Sequence, residues 1–313
     1  MLTNSLYSMK KIFLSKVSLF GLGATLLLAS CGNNNKPEGG EDQMADSTKV
    51  DTTAANNNVS SSEMSYQIPS PKEMFYFIRQ VGSKNNKRTD VLNSPDNAKA
   101  YTDPKAKAVN FGIYSCDLTY CSIFEIGTEA LKYFKVVKQL GDEIGVSTSV
   151  KPEMLKRLEK NMGTPDSLVE IADDMYFSSF ETLQNGQQGN TLALVVAGGY
   201  VEGLYIATNL IKYDKSNPAV ERIAGEKFTL ENIIDFMKKY ESDANVKDVI
   251  GKLTELKNAF DQEVTEKKTG KVEVKDEKGT KVIGGGDELI MTEAQYKVIS
   301  EKVAAIRSSF IGK

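Results

Sequence analysis

Apolar residues recur at steps of three and four along the chain after residue 70, which is the spacing of one face of an α-helix. Several of these runs begin with a capping residue followed by proline, as at Ser70-Pro71, Ser94-Pro95 and Asp103-Pro104. Proline fits the first turn of a helix because the backbone N–H that it lacks would have no partner there. The pattern therefore predicts a mainly α fold.

Two stretches differ from this amphipathic pattern. Asn190–Tyr213 is apolar nearly all round, which predicts a buried central helix. Near 271–283, side chains alternate along Lys271–Val274, pass a turn at Gly279 and extend again, which is typical of a short β-hairpin. We expect residues 70–313 to form one all-α domain, a multi-helix array of antiparallel helical hairpins with this one hairpin of strands.

The first 30 residues have the layout of an export signal. Basic residues come first, at Lys10, Lys11 and Lys16. The apolar run Val17–Leu28 follows and is shorter than the roughly 20 residues that span a bilayer. This order predicts a signal peptide over residues 1–30 that is removed after export.

The residues that end this signal resemble a lipobox. Leu28-Ala29-Ser30-Cys31 has an aliphatic residue and two small residues before a cysteine, as in bacterial lipoproteins. The resemblance implies that the thiol of Cys31 receives a diacylglyceryl group and that Cys31 becomes the mature N-terminus. Two acyl chains hold a protein at a membrane stably, whereas one chain is marginal. The alternative is an ordinary secretory signal with an unrelated cysteine.

We therefore expect a protein of the cell envelope that reaches its membrane through lipidated Cys31. Gly32 stands where an aspartate would favour the inner membrane, so we expect the outer membrane; the leaflet stays open. Residues 31–69 are rich in Asn, Ser, Thr and Gly and hold few large apolar side chains, which predicts a disordered tether. A flexible chain of about 38 residues has a root-mean-square span of roughly 35 Å.

Composition excludes several kinds of function. The formal net charge is −3, so no basic surplus indicates a nucleic-acid partner. The chain has no histidine, which excludes Ser-His-Asp and Cys-His catalysis and removes the commonest zinc ligand. We expect no metal site and no cofactor.

Cys116 and Cys121 are the cysteines beyond the lipobox. On a continuous helix they point about 140° apart, since each residue turns the helix by about 100°. We expect two small buried thiols. The alternative is a disulfide between them, which export would permit but which needs a break in the helix.

Polar residues within the most apolar segments are the candidate site. Asp117 and Tyr120 lie in the run 110–120, and Glu202 and Tyr205 lie in the central helix beside three glycines. A buried carboxylate must be paired or hydrogen-bonded. These four residues therefore predict either a small polar ligand pocket or a buried hydrogen-bond network at a close helix contact.

The folded part also resembles a group of uncharacterised helical envelope lipoproteins. The similar stretches are Asn110–Tyr120, Asp166–Leu168 and Gly198–Tyr205. The resemblance implies a helical fold over about 70–213 and no particular chemistry.

Three hypotheses for function follow. The first is a non-enzymatic, membrane-anchored domain that binds another component of the cell envelope, with an envelope protein as partner. The second is a small-molecule-binding lipoprotein with a pocket near Asp117, Glu202 and Tyr205. The third is a histidine-free enzyme that uses two carboxyl groups, as glycosidases do.

Overall fold

A computed structural model describes residues 70–81, 87–146, 152–161, 164–268, 272–277, 280–285 and 288–313. The predicted signal peptide (1–30), the predicted tether (31–69) and Cys31 lie outside these residues, so their predictions stay predictions. Within the ranges given, the chain forms nine α-helices, one short 3₁₀ helix and four short strands. The mainly α prediction is confirmed.

The helices begin and end where local signals place them. Their bounds are Pro71–Val81 (α1), Pro104–Ile123 (α2), Gly127–Ile144 (α3), Pro152–Lys160 (α4), Pro165–Asn185 (α5), Gly189–Leu210 (α6), Pro218–Lys238 (α7), Ala244–Glu263 (α8) and Glu293–Ile311 (α9), with the 3₁₀ helix at Pro95–Ala100. Asp103 caps α2 by accepting a hydrogen bond from the backbone N–H of Ala106. Thr292 and Gln295 form a reciprocal capping box at the start of α9.

The predicted β-hairpin is present. Its strands are Val272–Glu277 and Thr280–Gly285, which pair antiparallel with Val274 opposite Ile283. A second antiparallel pair, Thr265–Lys267 with Glu288–Ile290, was not predicted. Those two strands have three residues each, too few to show an alternating pattern.

Helices α2 and α6 form the centre of the domain. Both are buried along most of their length, and consecutive helices such as α2 and α3 or α7 and α8 pack around them. Val109 meets Gly198, and further along the chain Cys116 meets Gly203. The contacts advance in the same direction along both helices, so this innermost pair runs parallel. In the part of the chain that the structure describes, α6 is the one helix long and apolar enough to cross a membrane, and 89% of its most apolar window is buried within the protein.

Glycine is required where these two helices cross. A Cβ atom at Gly112 would lie 2.0 Å from the carbonyl oxygen of Val195, and one at Gly198 would lie 2.0 Å from that of Val109. Glycine inside a helix costs about 1 kcal/mol relative to alanine. Here the absent side chains let two backbones touch, which explains why the most buried helix tolerates that cost.

Candidate functional site

The α2–α6 contact brings two of the predicted site residues together. Asp117 of α2 and Glu202 of α6 have no exposed surface, and Arg307 of α9 is 7% exposed. We call these three residues the acid–arginine cluster. Sequence reasoning missed Arg307, because it follows Glu202 by 105 positions and resembles any polar residue of an amphipathic C-terminal helix.

Arg307 and Glu202 form a bidentate ion pair. The Nε atom of Arg307 donates to Oε2 of Glu202 at 2.6 Å, and Nη2 donates to Oε1 at 2.8 Å. The same Nη2 also donates to the carbonyl oxygen of Val91 at 3.2 Å. The Tyr205 ring lies beneath the guanidinium, with Cζ of Arg307 4.1 Å from the ring centroid. The guanidinium therefore fills the space between Glu202 and Tyr205.

Asp117 faces Glu202 with only one hydrogen-bond donor around it. Its Oδ2 accepts the backbone N–H of Asn93 at 3.2 Å, whereas its buried Oδ1 has no donor among the described residues. Burial, and then the negative charge of Glu202, raise the pKa of Asp117 well above its ordinary value. Burial also raises the pKa of Glu202, but the hydrogen bonds and charge of Arg307 oppose that rise.

Two carboxyl groups share one cation here, so electrical neutrality requires one proton. Asp117 is the residue that holds it. Two ionised carboxylates only accept hydrogen bonds, which would leave Oδ1 of Asp117 without a partner. A proton on Asp117 gives that carboxyl group a donor beside the Glu202 carboxylate. The cluster is therefore electrically neutral, with one neutral acid, one carboxylate and one guanidinium.

Amide and hydroxyl groups extend this network to other elements. The Nδ2 atom of Asn93 donates to the hydroxyl of Tyr101 at 3.0 Å and to Oδ1 of Asn110 at 3.3 Å. The Nδ2 atom of Asn110 donates to the carbonyl oxygen of Phe310 at 2.9 Å. The network thus ties the segment before the 3₁₀ helix to α2 and to the end of α9.

Tyr120 lies apart from the cluster, contrary to its grouping with Asp117 in the sequence. Its hydroxyl accepts the backbone N–H of Arg88 at 3.1 Å, and its ring stacks on Phe124 with centroids 4.5 Å apart. Phe75 of α1 packs edge-on against the same ring. Three residues advance a helix by about 4.5 Å, which carries Tyr120 past the crossing and towards α1.

The two cysteines of α2 are separate and buried. Cys116 and Cys121 are free thiols on one uninterrupted helix, so the alternative of a disulfide between them is wrong in this structure. The helix is not broken between them, and it therefore holds the two side chains about 140° apart. Burial raises the pKa of both thiols well above the ordinary value, which keeps them protonated.

A second buried acid, which sequence reasoning missed, lies on α7 beside a small cavity. Glu226 is 4% exposed, and the cavity next to it has a volume of about 30 Å³. We call this space the Glu226 cavity. Its lining includes Met74, Tyr176, Val196, Tyr200, Arg222 and Ile233. One signal could have identified it, since Glu226 occupies an apolar position between Ile223 and Leu230 on the buried face of α7.

These two sites differ in what they can do chemically. The acid–arginine cluster is filled by its own groups, whereas Glu226 borders open space.

Among the residues with described positions, no group of three or more Asp, Glu, Cys or His side chains is placed to hold a metal ion. Comparisons of the chain with protein families, with curated proteins and with solved structures gave no match.

Proposed function

We propose that this chain is a membrane-anchored lipoprotein whose helical domain is a non-enzymatic module that binds another component of the cell envelope. The lipobox-like residues Leu28–Cys31 and the polar stretch 31–69 support the anchoring. Lipid on Cys31, followed by a tether, would hold the folded part near a membrane and let it reach a partner. Gly32, in place of an aspartate, favours the outer membrane as the site of the anchor.

A surface groove between α8 and α9 carries the binding part of the proposal. We call it the α8–α9 groove; its volume is about 440 Å³. Its lining combines the apolar residues Ala259, Val298 and Ala305 with the polar residues Glu255, Asn258, Gln262, Glu301 and Lys302. Val298 is 42% exposed and is one of two large apolar side chains that are exposed in the described part of the chain. Exposed apolar side chains flanked by polar ones are the kind of surface that binds an amphipathic helix.

The buried acids support a non-enzymatic reading. Asp117 and Glu202 were the candidates for carboxylate chemistry or a ligand pocket, and both have no exposed surface. Arg307 occupies the position that a ligand of Glu202 and Tyr205 would take. The cluster fixes α2, α6 and α9 relative to one another, which gives a binding module a rigid frame.

Lipid attachment is tested in cells that are fed a fatty acid with an alkyne tag. We expect the tag on the wild-type chain and in the membrane fraction. The variant Cys31→Ala should lose the tag and leave the membrane fraction, whereas Cys116→Ala should keep both. An untagged wild-type chain would contradict the anchor.

Partner binding is tested with a photo-activated cross-linking residue in place of Val298 in the α8–α9 groove. Lys135, exposed on α3, provides the matched control position. We expect a discrete cross-linked product from position 298 and none from position 135. The same product from both positions, or none from position 298, would contradict the groove as the binding surface.

A further inference from the structure

The Glu226 cavity is enclosed by four helices and is mainly apolar. Met74 of α1, Val196 of α6 and Ile233 of α7 supply its aliphatic lining, and Tyr176 of α5 adds an aromatic ring. At about 30 Å³ the space exceeds the roughly 10–15 Å³ that one ordered water molecule needs. It therefore admits a small polar head on an unbranched stem and excludes a bulky or branched group.

The Glu226 carboxyl group is only loosely paired. Its side chain is 5% exposed, and its nearest cation, Nε of Arg222, lies 3.7 Å away, beyond hydrogen-bond distance. Arg222 is itself 45% exposed at the cavity rim, so water solvates much of its charge. Burial raises the pKa of Glu226, and Arg222 and the Thr229 hydroxyl oppose that rise only in part. The group gains most from a further hydrogen-bond donor on the cavity side.

Aromatic rings accompany this carboxyl. The hydroxyl of Tyr200 donates to the backbone carbonyl of Glu226 at 3.0 Å, which fixes that ring beside the acid. Tyr176 lines the same space. Carboxylates combined with aromatic rings are the surroundings in which proteins hold ammonium groups.

We propose that the Glu226 cavity binds the ammonium end of a primary aliphatic amine. The ammonium donates to the Glu226 carboxylate, and the methylene stem packs on Met74, Val196 and Ile233. Arg222 turns outward into solvent when the amine enters, since the rim leaves it room to do so. This site is separate from the α8–α9 groove, so either proposal can fail without the other.

The test is a methyl-NMR titration of the full-length chain in detergent, with carbon-13 in its methionine methyl groups. Met74 lines the cavity, and the buried residue Met291 near the start of α9, which is not part of the lining, serves as the reference. The probes are n-butylammonium, n-butyrate and n-butanol, which share an aliphatic stem and differ in the head group. We expect n-butylammonium to shift the Met74 resonance in a saturable way and to leave Met291 unmoved.

Two variants separate the head group from the cavity. Glu226→Gln keeps the shape of the side chain and removes its charge, and it should weaken n-butylammonium binding by about tenfold or more, the loss of a charged hydrogen bond. Gly203→Ala adds a methyl group to the cavity lining, 3.5 Å from Sγ of Cys116 and 3.9 Å from the methyl group of Met74, and should reduce binding by narrowing the space. The matched control is Glu221→Gln, exposed on the same helix, which should bind like the wild type.

Any order of the three probes other than tightest binding of n-butylammonium overturns the proposal. Stronger binding of n-butyrate would make Arg222 the recognition group and the ligand an anion. Equal binding of n-butanol would make the space an apolar hole without charge selection. Should Glu226→Gln fail to fold, the order of the three probes and the Gly203→Ala variant still decide the result. No shift of Met74 with any probe would exclude a site.

Discussion

Helix α6 contributes to two sites with a buried acid, and the two acids differ in how closely they are paired with a guanidinium group. At the acid–arginine cluster, Glu202 receives two short hydrogen bonds from a guanidinium that is almost entirely buried. At the Glu226 cavity, the nearest guanidinium is half exposed and lies beyond hydrogen-bond distance. Burial raises the pKa of the acid at both sites, so burial alone does not distinguish them.

The difference in pairing distinguishes a buried acid that holds helices together from one that is open to a ligand. A buried bidentate ion pair fixes the relative positions of helices, and removing one partner leaves an unpaired charge. A buried acid beside empty space, with its nearest cation 3.7 Å away, can take a further hydrogen-bond donor. The following changes test this contrast, from the largest expected effect to the smallest.

Removing Arg307 should have the largest effect. Arg307→Met leaves Glu202 and Asp117 without their cation inside the core, and breaking a buried pair in this way costs about 3–5 kcal/mol. Urea unfolding measures the loss. The control is Lys302→Met, on the same helix as Arg307. It removes an exposed ion pair with Glu255 of α8 and should cost about 0–1 kcal/mol. Equal losses for the two variants would contradict the closed cluster.

Gly198→Ala should have the next largest effect. The new methyl group would meet the backbone carbonyl of Val109 at 2.0 Å, which forces α2 and α6 apart. Overpacking of this kind costs about 1–3 kcal/mol and sometimes more. Gly203→Ala in the same helix meets only side-chain atoms, the nearest 3.5 Å away, and should change stability much less. Thermal unfolding of both variants checks the difference, and similar midpoints would refute the glycine crossing.

Asp117→Asn should change how stability depends on pH. The raised pKa of Asp117 means that the folded state keeps a proton that the unfolded chain releases above about pH 4. The free energy of unfolding should therefore fall as the pH rises from there towards the folded-state pKa, by up to about 1.4 kcal/mol per pH unit. Asparagine keeps the shape of the neutral acid and should remove this part of the slope.

The matched control is Asp248→Asn, which removes an acid whose pKa is lowered in the folded state rather than raised. Lys105 lowers the pKa of Asp248 on the surface of α8 through a hydrogen bond, so that pair stabilises above the unfolded-state pKa and loses its effect as the pH falls. Asp248→Asn should leave the slope above that pH unchanged. Urea titrations across the acid-to-neutral range give both slopes, and parallel curves for wild type and Asp117→Asn would argue against a neutral Asp117.

Tyr205 should give the smallest effect. Its ring supports the guanidinium of Arg307, and losing such a cation–π contact costs about 0.5–2 kcal/mol. We expect the free energy of unfolding to fall by an amount in that range in Tyr205→Leu. It should fall little in Tyr205→Phe, which keeps the ring. Differential scanning calorimetry compares them, and an equal loss in both would assign the effect to the hydroxyl instead.

Local patterns in the sequence predicted the helices, the hairpin and the burial of α6 on nearly all its sides. Asp117 and Glu202 could be identified because a charge within an apolar run is visible without a structure. Arg307 could not be identified, because its pairing joins helices that are far apart in the chain. Tyr120 was misplaced because sequence spacing gives a direction around the helix and says nothing of which neighbour stands there.

The chain's first 69 residues carry the most specific functional signal, yet they lie outside the described structure. The lipid anchor at Cys31 and the envelope partner therefore rest on the cell experiments proposed above. The contrast between the two acid sites rests on geometry and has its own test.

Carboxyl carbon-13 NMR of Asp117, Glu202 and Glu226 tests that contrast most directly, with a pH titration in the presence and absence of n-butylammonium. We expect a protonated Asp117 and an ionised Glu202 at neutral pH, and neither resonance should respond to the amine. The pKa of Glu226 should be lower in the presence of the amine than in its absence. An Asp117 that titrates near its ordinary pKa, or an amine response at Glu202 in place of Glu226, would contradict the distinction between a closed cluster and an open cavity.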